Sequence, residues 1–412
     1  MRRTLGLAFV TAVLTALTAG AQEARDFFKV GVIAEISGSN AVGGNIIKRG
    51  YDMWATAVNA EGGIQIGGKK YKVQLVYGDS QSNPSQGASA VERLITQEHV
   101  DFIFGPYTSM CTIAMGPVCD KYEVPVVGGA AESPMIYLQK FKYTFGTLPP
   151  VNFTGAGCIG TLSKLNPPPK TAVVIGANDT FSKATAETFR DGFEKVGIKV
   201  LRFDIVPDEQ DLTPLLSVMK NMHPDILAFG SRDEELIKMV KNLRQINFNP
   251  KIVVMHYGVT DPSFTEALKA DANQIYGVTI WTDTSKNTSK YLWKNSAEYE
   301  AAANKAYGCD GDYTQAGCSV SGIAYQVALQ KIKATPPLSL EKRRELQKAL
   351  EEVDVMTFLG RIKFASEGQF YHANTYIEPL TVQVQDGKCK VVGPPSMAEA
   401  KAIYPMTPWA QR

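Results

Sequence analysis

Ser109 follows Gly105-Pro106 and stands at the start of a helical pattern that carries Ile113, Ala114, Met115 and Val118. A helix start offers unpaired N–H groups and a partial positive charge, which suit an anion. A serine there either caps the helix or donates to a ligand. The next apolar run, 124–127, ends in Gly128-Gly129-Ala130-Ala131, and Glu132 comes directly after it. Glu132 either faces a polar ligand group or caps a turn. Arg232 opens another helical pattern after the apolar run 225–229. Its planar guanidinium suits a two-oxygen acceptor, with Asp233, Glu234 and Glu235 as competing partners. Phe181 and Tyr257 fall at equivalent strand ends, and Tyr107 and Trp281 add ring faces. Each ring serves equally as a ligand wall or as packing.

Other chemistry is missing. The four histidines (His99, His223, His256, His372) are scattered, with no HExxH. GxSxG, kinase signatures, GxGxxG and GxxxxGK[ST] are absent. No cofactor or metal is expected. The six cysteines show no CxxC spacing. Cys309 and Cys318 bracket the polar stretch CDGDYTQAGC, and a bridge between them is expected, stabilising by roughly 2–3 kcal/mol. Cys111 and Cys119, on one helix about 12 Å apart, cannot pair.

The elements that would position these residues alternate. Apolar runs at 28–34, 71–77, 101–104 and 124–127 alternate with helical patterns, as in a parallel, doubly wound sheet. The alternation restarts after Pro149-Pro150 with runs at 171–175, 199–205, 225–229, 251–255 and 275–281. Helical patterns at 289–307, 315–333 and 340–351 follow, then extended runs at 361–364 and 376–385. Residues 396–412 read as a tail with little pattern. In such sheets ligands sit outside the carboxyl ends of the strands. Arg2-Arg3, the apolar 5–17 and Ala19-Gly20-Ala21 read as a signal peptide over residues 1–21, and hence as export to the periplasm. Its removal takes two arginines and no acids, so the net charge falls from +2 to 2 − 2 = 0. A neutral mature chain without a basic block is a poor nucleic-acid binder.

KVGVIAEISGSNAVGG, AVNAEGGIQIGGKKYKVQLVYGDSQSNPSQGASAVERLI, VDFIFGPYTS and FLGRIKFASEGQF, in that order, resemble the type I periplasmic solute-binding proteins. Among these the closest resemblance is to the leucine–isoleucine–valine-binding family of ABC transporters. The resemblance implies an α/β fold of two Rossmann-like lobes joined by three crossovers, with the ligand trapped by hinge closure. Crossovers are expected near Leu148, Tyr276 and Phe358. Lobe one then combines 27–148 and 278–357, and lobe two 149–277 and 358–395. The family's ligand-binding serine matches Ser109, and its backbone contact matches Ala130. Its next hydroxyl is Glu132 here. An early aromatic is Gly43, which leaves room. In lobe two its aromatics match Phe181 and Arg232, and its acidic clamp for an ammonium falls at Tyr257.

The implied protein is a monomeric receptor, not an enzyme, that delivers a small carboxylate to the permease subunits of an ABC importer. An aromatic acid is favoured. A branched-chain amino-acid or amide binder, and a ligand-sensing domain of the same fold, are the alternatives.

Overall fold

The computed structural model describes residues 25–207 and 211–412, so the expected signal segment 1–21 lies outside the described residues. The chain begins with β1 (Phe27–Ala34) and α1 (Ala41–Ala60), then β2 (Ile64–Ile66), β3 (Lys69–Asp79) and α2 (Pro84–Thr96). β4 (Phe102–Phe104), α3 (Ser109–Tyr122), β5 (Val126–Gly128), α4 (Pro134–Leu138) and β6 (Thr144–Gly146) complete the first series. These six strands form one sheet in the order β2-β3-β1-β4-β5-β6, parallel except for the β2–β3 hairpin. β1 reads as an unbroken apolar run because helices cover both of its faces. Val30 and Val32 pack in one core with α1, while Ile33 joins α2 and α3 in the other.

The second series is α5 (Val151–Leu162), β7 (Thr171–Ala177), α6 (Thr180–Lys195), β8 (Lys199–Val206) and α7 (Thr213–Lys220). It continues through β9 (Ile226–Gly230), α8 (Asp233–Gln245), β10 (Ile252–His256), α9 (Pro262–Leu268) and β11 (Tyr276–Thr279). The chain then forms α10 (Ser296–Tyr307), α11 (Tyr313–Lys331) and α12 (Leu340–Glu351), which return to the first lobe. α11 packs on α1 so closely that a Cβ on Gly322 would lie 2.2 Å from the Trp54 ring. A small ribbon, β12 (Asp354–Met356) with β13 (Arg361–Lys363), precedes β14 (Leu380–Gln385) and β15 (Lys388–Gly393). The second sheet runs β15-β14-β11-β10-β9-β7-β8, with β14 antiparallel to both of its neighbours.

β11 pairs with β10 and then with β14 through Thr279, beside the crossover expected near Tyr276. Two expectations change. The tail is docked: Met406 and Trp409 are buried in the second core, and the Trp409 indole N–H donates to the Phe248 carbonyl at 2.6 Å. The Cys309–Cys318 bridge does not form, and all six cysteines are free. The stretch read as a closed polar loop instead contains a helix start. Asp312 caps α11 by accepting from the Thr314 N–H at 2.7 Å, which draws Cys318 into the helix, buried against Gly50 of α1. Cys309 lies just past the end of α10 beside Arg49, whose Nη1 is 3.3 Å from its sulfur.

Candidate ligand-binding site

The loop after β4 is fixed by Glu35, a buried acid at the end of β1. Its carboxylate accepts from the Tyr107 and Thr108 N–H groups at 2.9 and 3.0 Å and from the Thr108 hydroxyl at 2.7 Å. Thr108, not Ser109, is the cap of α3, accepting from the Cys111 N–H at 3.4 Å. Ser109 is therefore the first helical residue. Its Oγ accepts from the Ser133 N–H at 3.2 Å and keeps its own proton to donate.

On the other lobe, Asp179 caps α6 through the Phe181 and Ser182 N–H groups and binds Arg232 Nη1 at 2.9 Å. Burial pushes the Asp179 carboxyl up, but the guanidinium and the N–H donors outweigh it and hold the group below its ordinary range. Arg232 lies 4.6 Å from the Phe181 ring centre and 5.5 Å from that of Tyr107, so Asp179 and two rings hold it at the cleft. The Ser231 N–H donates to the His256 carbonyl at 2.9 Å, and the Tyr257 N–H to the Ser231 carbonyl at 2.8 Å, which ties the ends of β9 and β10 together.

Tyr107, Ser109, Ala130, Glu132, Phe181, Arg232 and Tyr257 thus meet around one cavity, with Thr314 as a further lining residue. Trp281 is not among them; it is packed against Tyr299 and Phe358, with its N–H on Ser296 Oγ at 2.9 Å. Gly43 does not open ligand space either. A Cβ there would fall 2.2 Å from the Tyr107 ring, so Tyr107 already fills the room that the glycine leaves.

The lobes are closed on each other. The Tyr257 hydroxyl donates to Asp312 at 3.1 Å, Thr260 donates to the same carboxylate at 3.4 Å, and Ser133 donates to the Thr180 carbonyl at 3.3 Å. The cavity is about 10 Å³, room for a water and no more, so any larger ligand enters only when the lobes or the side chains part. A second cavity of about 340 Å³ lies beyond Asp312 and Tyr313, among Asp261, Glu266, Glu300 and Asp310. It shares no lining residue with the strand-end cavity.

Glu132 dominates the electrostatics. It is 2% exposed, and its Oε1 accepts from the Tyr313 hydroxyl at 2.7 Å. Burial, reinforced by Asp312 and opposed by Tyr313 and Arg232, pushes its carboxyl up to about 8. Burial also raises Asp312 to about 6, with Asp261 adding to the shift and Thr314 and Tyr257 opposing it. Among the described residues no cluster of ligating side chains could hold a metal ion, and no helix is long and apolar enough to cross a membrane.

A family model described as periplasmic binding protein matches residues 28–387. The chain belongs to that family. It is 25% identical to Leu/Ile/Val-binding protein homolog 8 of Brucella abortus over 97% of each chain. The fold matches the branched-chain amino-acid transporter substrate-binding protein LivJ of Streptococcus pneumoniae, solved with isoleucine, with a TM-score of 0.76 at 21% identity, over 92% of this chain and all of that one. It also matches a solute-binding protein of an ABC transporter from R. palustris, solved with benzoate, with a TM-score of 0.75 at 17% identity, over 92% and 97% of the chains. Its relatives and fold neighbours are solute-binding proteins, not enzymes.

Sequence reasoning missed Glu35, Asp312, Tyr313 and His256 as parts of the cleft. An acid at the carboxyl end of the first apolar strand was a legible signal for Glu35. Asp312-Tyr313-Thr314 ahead of an apolar stretch was a legible helix start.

Proposed function

We propose that this binding protein is exported to the periplasm, closes its two lobes on a small carboxylate with an aromatic body, and delivers it to the permease subunits of an ABC importer. The observation that carries this reading is the pairing across one buried cavity of a donor end, Ser109 at the start of α3, with Arg232 of the other lobe. The anion gains hydroxyl and helix-terminal donors from lobe one. It meets Arg232 only when the lobes close, which couples recognition to closure. Tyr107, Phe181 and Tyr257 supply apolar faces for a ring. Un-ionised at neutral pH, Glu132 does not repel the anion. Tyr257 stands where an acid would be needed to grip an α-ammonium from lobe two.

The second reading, a branched-chain amino acid or amide, has one observation in its favour. Glu132 Oε2 is buried without a hydrogen-bond partner and would ionise on meeting an ammonium. Calorimetry with benzoate against leucine, valine and short amides decides between the two. In the Arg232→Ala variant benzoate should bind about 10- to 150-fold more weakly, the loss of a hydrogen bond to a charged group. Tight leucine binding without a benzoate signal, or undiminished benzoate binding by the variant, refutes the aromatic-acid reading.

A further inference from the structure

Glu132 comes from the loop after β5 in lobe one, and His256 from the end of β10 in lobe two. Glu132 Oε2 and His256 Nε2 face each other at 3.9 Å. Both side chains are at least 98% buried, and neither Glu132 Oε2 nor the His256 Nε2 that faces it makes a hydrogen bond within 3.5 Å. The separation is too long for a direct hydrogen bond, whose N···O distance is about 2.7–3.2 Å. An oxygen atom bonded to both, at about 2.8 Å from each, would stand about 2 Å to one side of the line that joins them. A buried, unsatisfied polar group costs about 1–3 kcal/mol, so two facing each other across a ligand cleft mark a place for a shared partner.

Resting on the reading of this cleft as the ligand site, we infer that Glu132 and His256 form a polar subsite, assembled on closure, that selects ligands carrying a hydroxyl group. The hydroxyl accepts from the Glu132 acid and donates to the imidazole. The surroundings fit this assignment. Tyr313 donates to Glu132 Oε1, which leaves the acid proton for Oε2. Arg232 and Asp312 are the charged groups that act on Glu132, and Phe181, Tyr257 and Tyr313 wall the imidazole with rings. Burial lowers His256 to about 3 against a weaker pull from the Val278 backbone, so its ring is neutral and one nitrogen is an acceptor. The ligand class thereby narrows from aromatic acids to hydroxylated ones.

The test is calorimetry on the full-length mature protein with benzoate, 3- and 4-hydroxybenzoate and the corresponding methoxybenzoates. The better hydroxybenzoate should bind at least about tenfold more tightly than benzoate. Its methyl ether, which accepts but cannot donate, should lose that gain. In His256→Phe the hydroxylated and plain acids should bind within about threefold of each other, whereas Glu132→Gln, which keeps a donor, should retain part of the difference. Equal affinities for the three ligand types in the unaltered protein overturn the subsite without recourse to any variant. If the aromatic acids are silent and amino acids bind, the ligand class proposed above fails. The ammonium then takes Glu132 Oε2, which can no longer donate to a hydroxyl, and the subsite is overturned as well.

Discussion

Raising the pH should weaken ligand binding through Glu132. In the closed protein burial holds this carboxyl at about 8, against an ordinary value of 4.5. When the lobes part it meets water again, so closure takes up a proton wherever the open form is ionised and the closed form is not. A group raised in the closed state favours closure below its open value, and that contribution is lost as the pH climbs from 4.5 to 8. His256 works in the opposite sense. It is lowered from 6.5 to about 3 in the closed form, so closure releases its proton below 6.5. The two effects cancel between 4.5 and 6.5, apart from Asp312, whose rise from 3.8 to about 6 falls below the upper window. From 6.5 to 8 Glu132 dominates. Its carboxyl is half ionised at pH 8 and the open-form imidazole half protonated at pH 6.5, so the net loss across that span is about eightfold in Kd, or about 1.2 kcal/mol. Titrating benzoate calorimetrically at three pH values across this window, in buffers of differing ionisation heat, should show that loss of affinity and a net uptake of about 0.7 proton near pH 7. Glu132→Gln should flatten the profile. A flat profile in the unaltered protein, or an unchanged slope in Glu132→Gln, refutes the reasoning.

Tyr257→Phe removes a hydrogen bond to Asp312 that exists only between closed lobes. It should weaken benzoate binding about tenfold or more and leave the urea midpoint of the ligand-free protein unmoved. Trp409→Ala should cost about 3–5 kcal/mol in urea unfolding, because the indole is buried in the second core and hydrogen-bonded to Phe248. Peptide mapping without reductant should find Cys309 and Cys318 unlinked. Under native conditions a maleimide should modify the half-buried Cys309 well before Cys318.

The strand ends were legible because a short apolar run bounded by Gly, Pro and hydroxyl residues leaves the chain little choice but a buried strand. Those ends carry Ser109, Ala130, Glu132, Phe181, Arg232 and Tyr257 to one cavity. What escaped depended on which side chain wins a contest between neighbours. Thr108 and Ser109 are both competent caps, and Glu35 decides in favour of Thr108 by accepting from its N–H and its hydroxyl. Gly43 reads as space from sequence, but Tyr107 from another loop occupies it. CDGDYTQAGC reads as a polar loop because its first half is polar, and the Asp312 cap inside it commits the second half to α11. The sequence offers Arg232 partners in its own helix, whereas Asp179 stands 53 residues earlier, at the start of α6.

The charge balance in the cleft explains why net charge alone does not choose the ligand. Arg232 is already compensated by Asp179, and Glu132 is neutral, so an incoming carboxylate adds charge to a site whose donors come from the α3 start and the guanidinium. An ammonium would have to ionise Glu132 first. At pH 7 that costs one unit, 8 − 7, or about 1.4 kcal/mol. This handicap is about tenfold and vanishes by pH 8. It is small beside the 1.5–3 kcal/mol, roughly, that one hydrogen bond to a charged group supplies. On the aromatic-acid reading proposed above, discrimination against amino acids therefore rests on Tyr257, which offers no carboxylate from lobe two, and on rings that fit a flat body. The pH profile separates the two ligand classes directly. An anion that leaves Glu132 protonated loses affinity between 6.5 and 8, whereas an ammonium that ionises it takes up no proton through Glu132 on binding and shows no such loss.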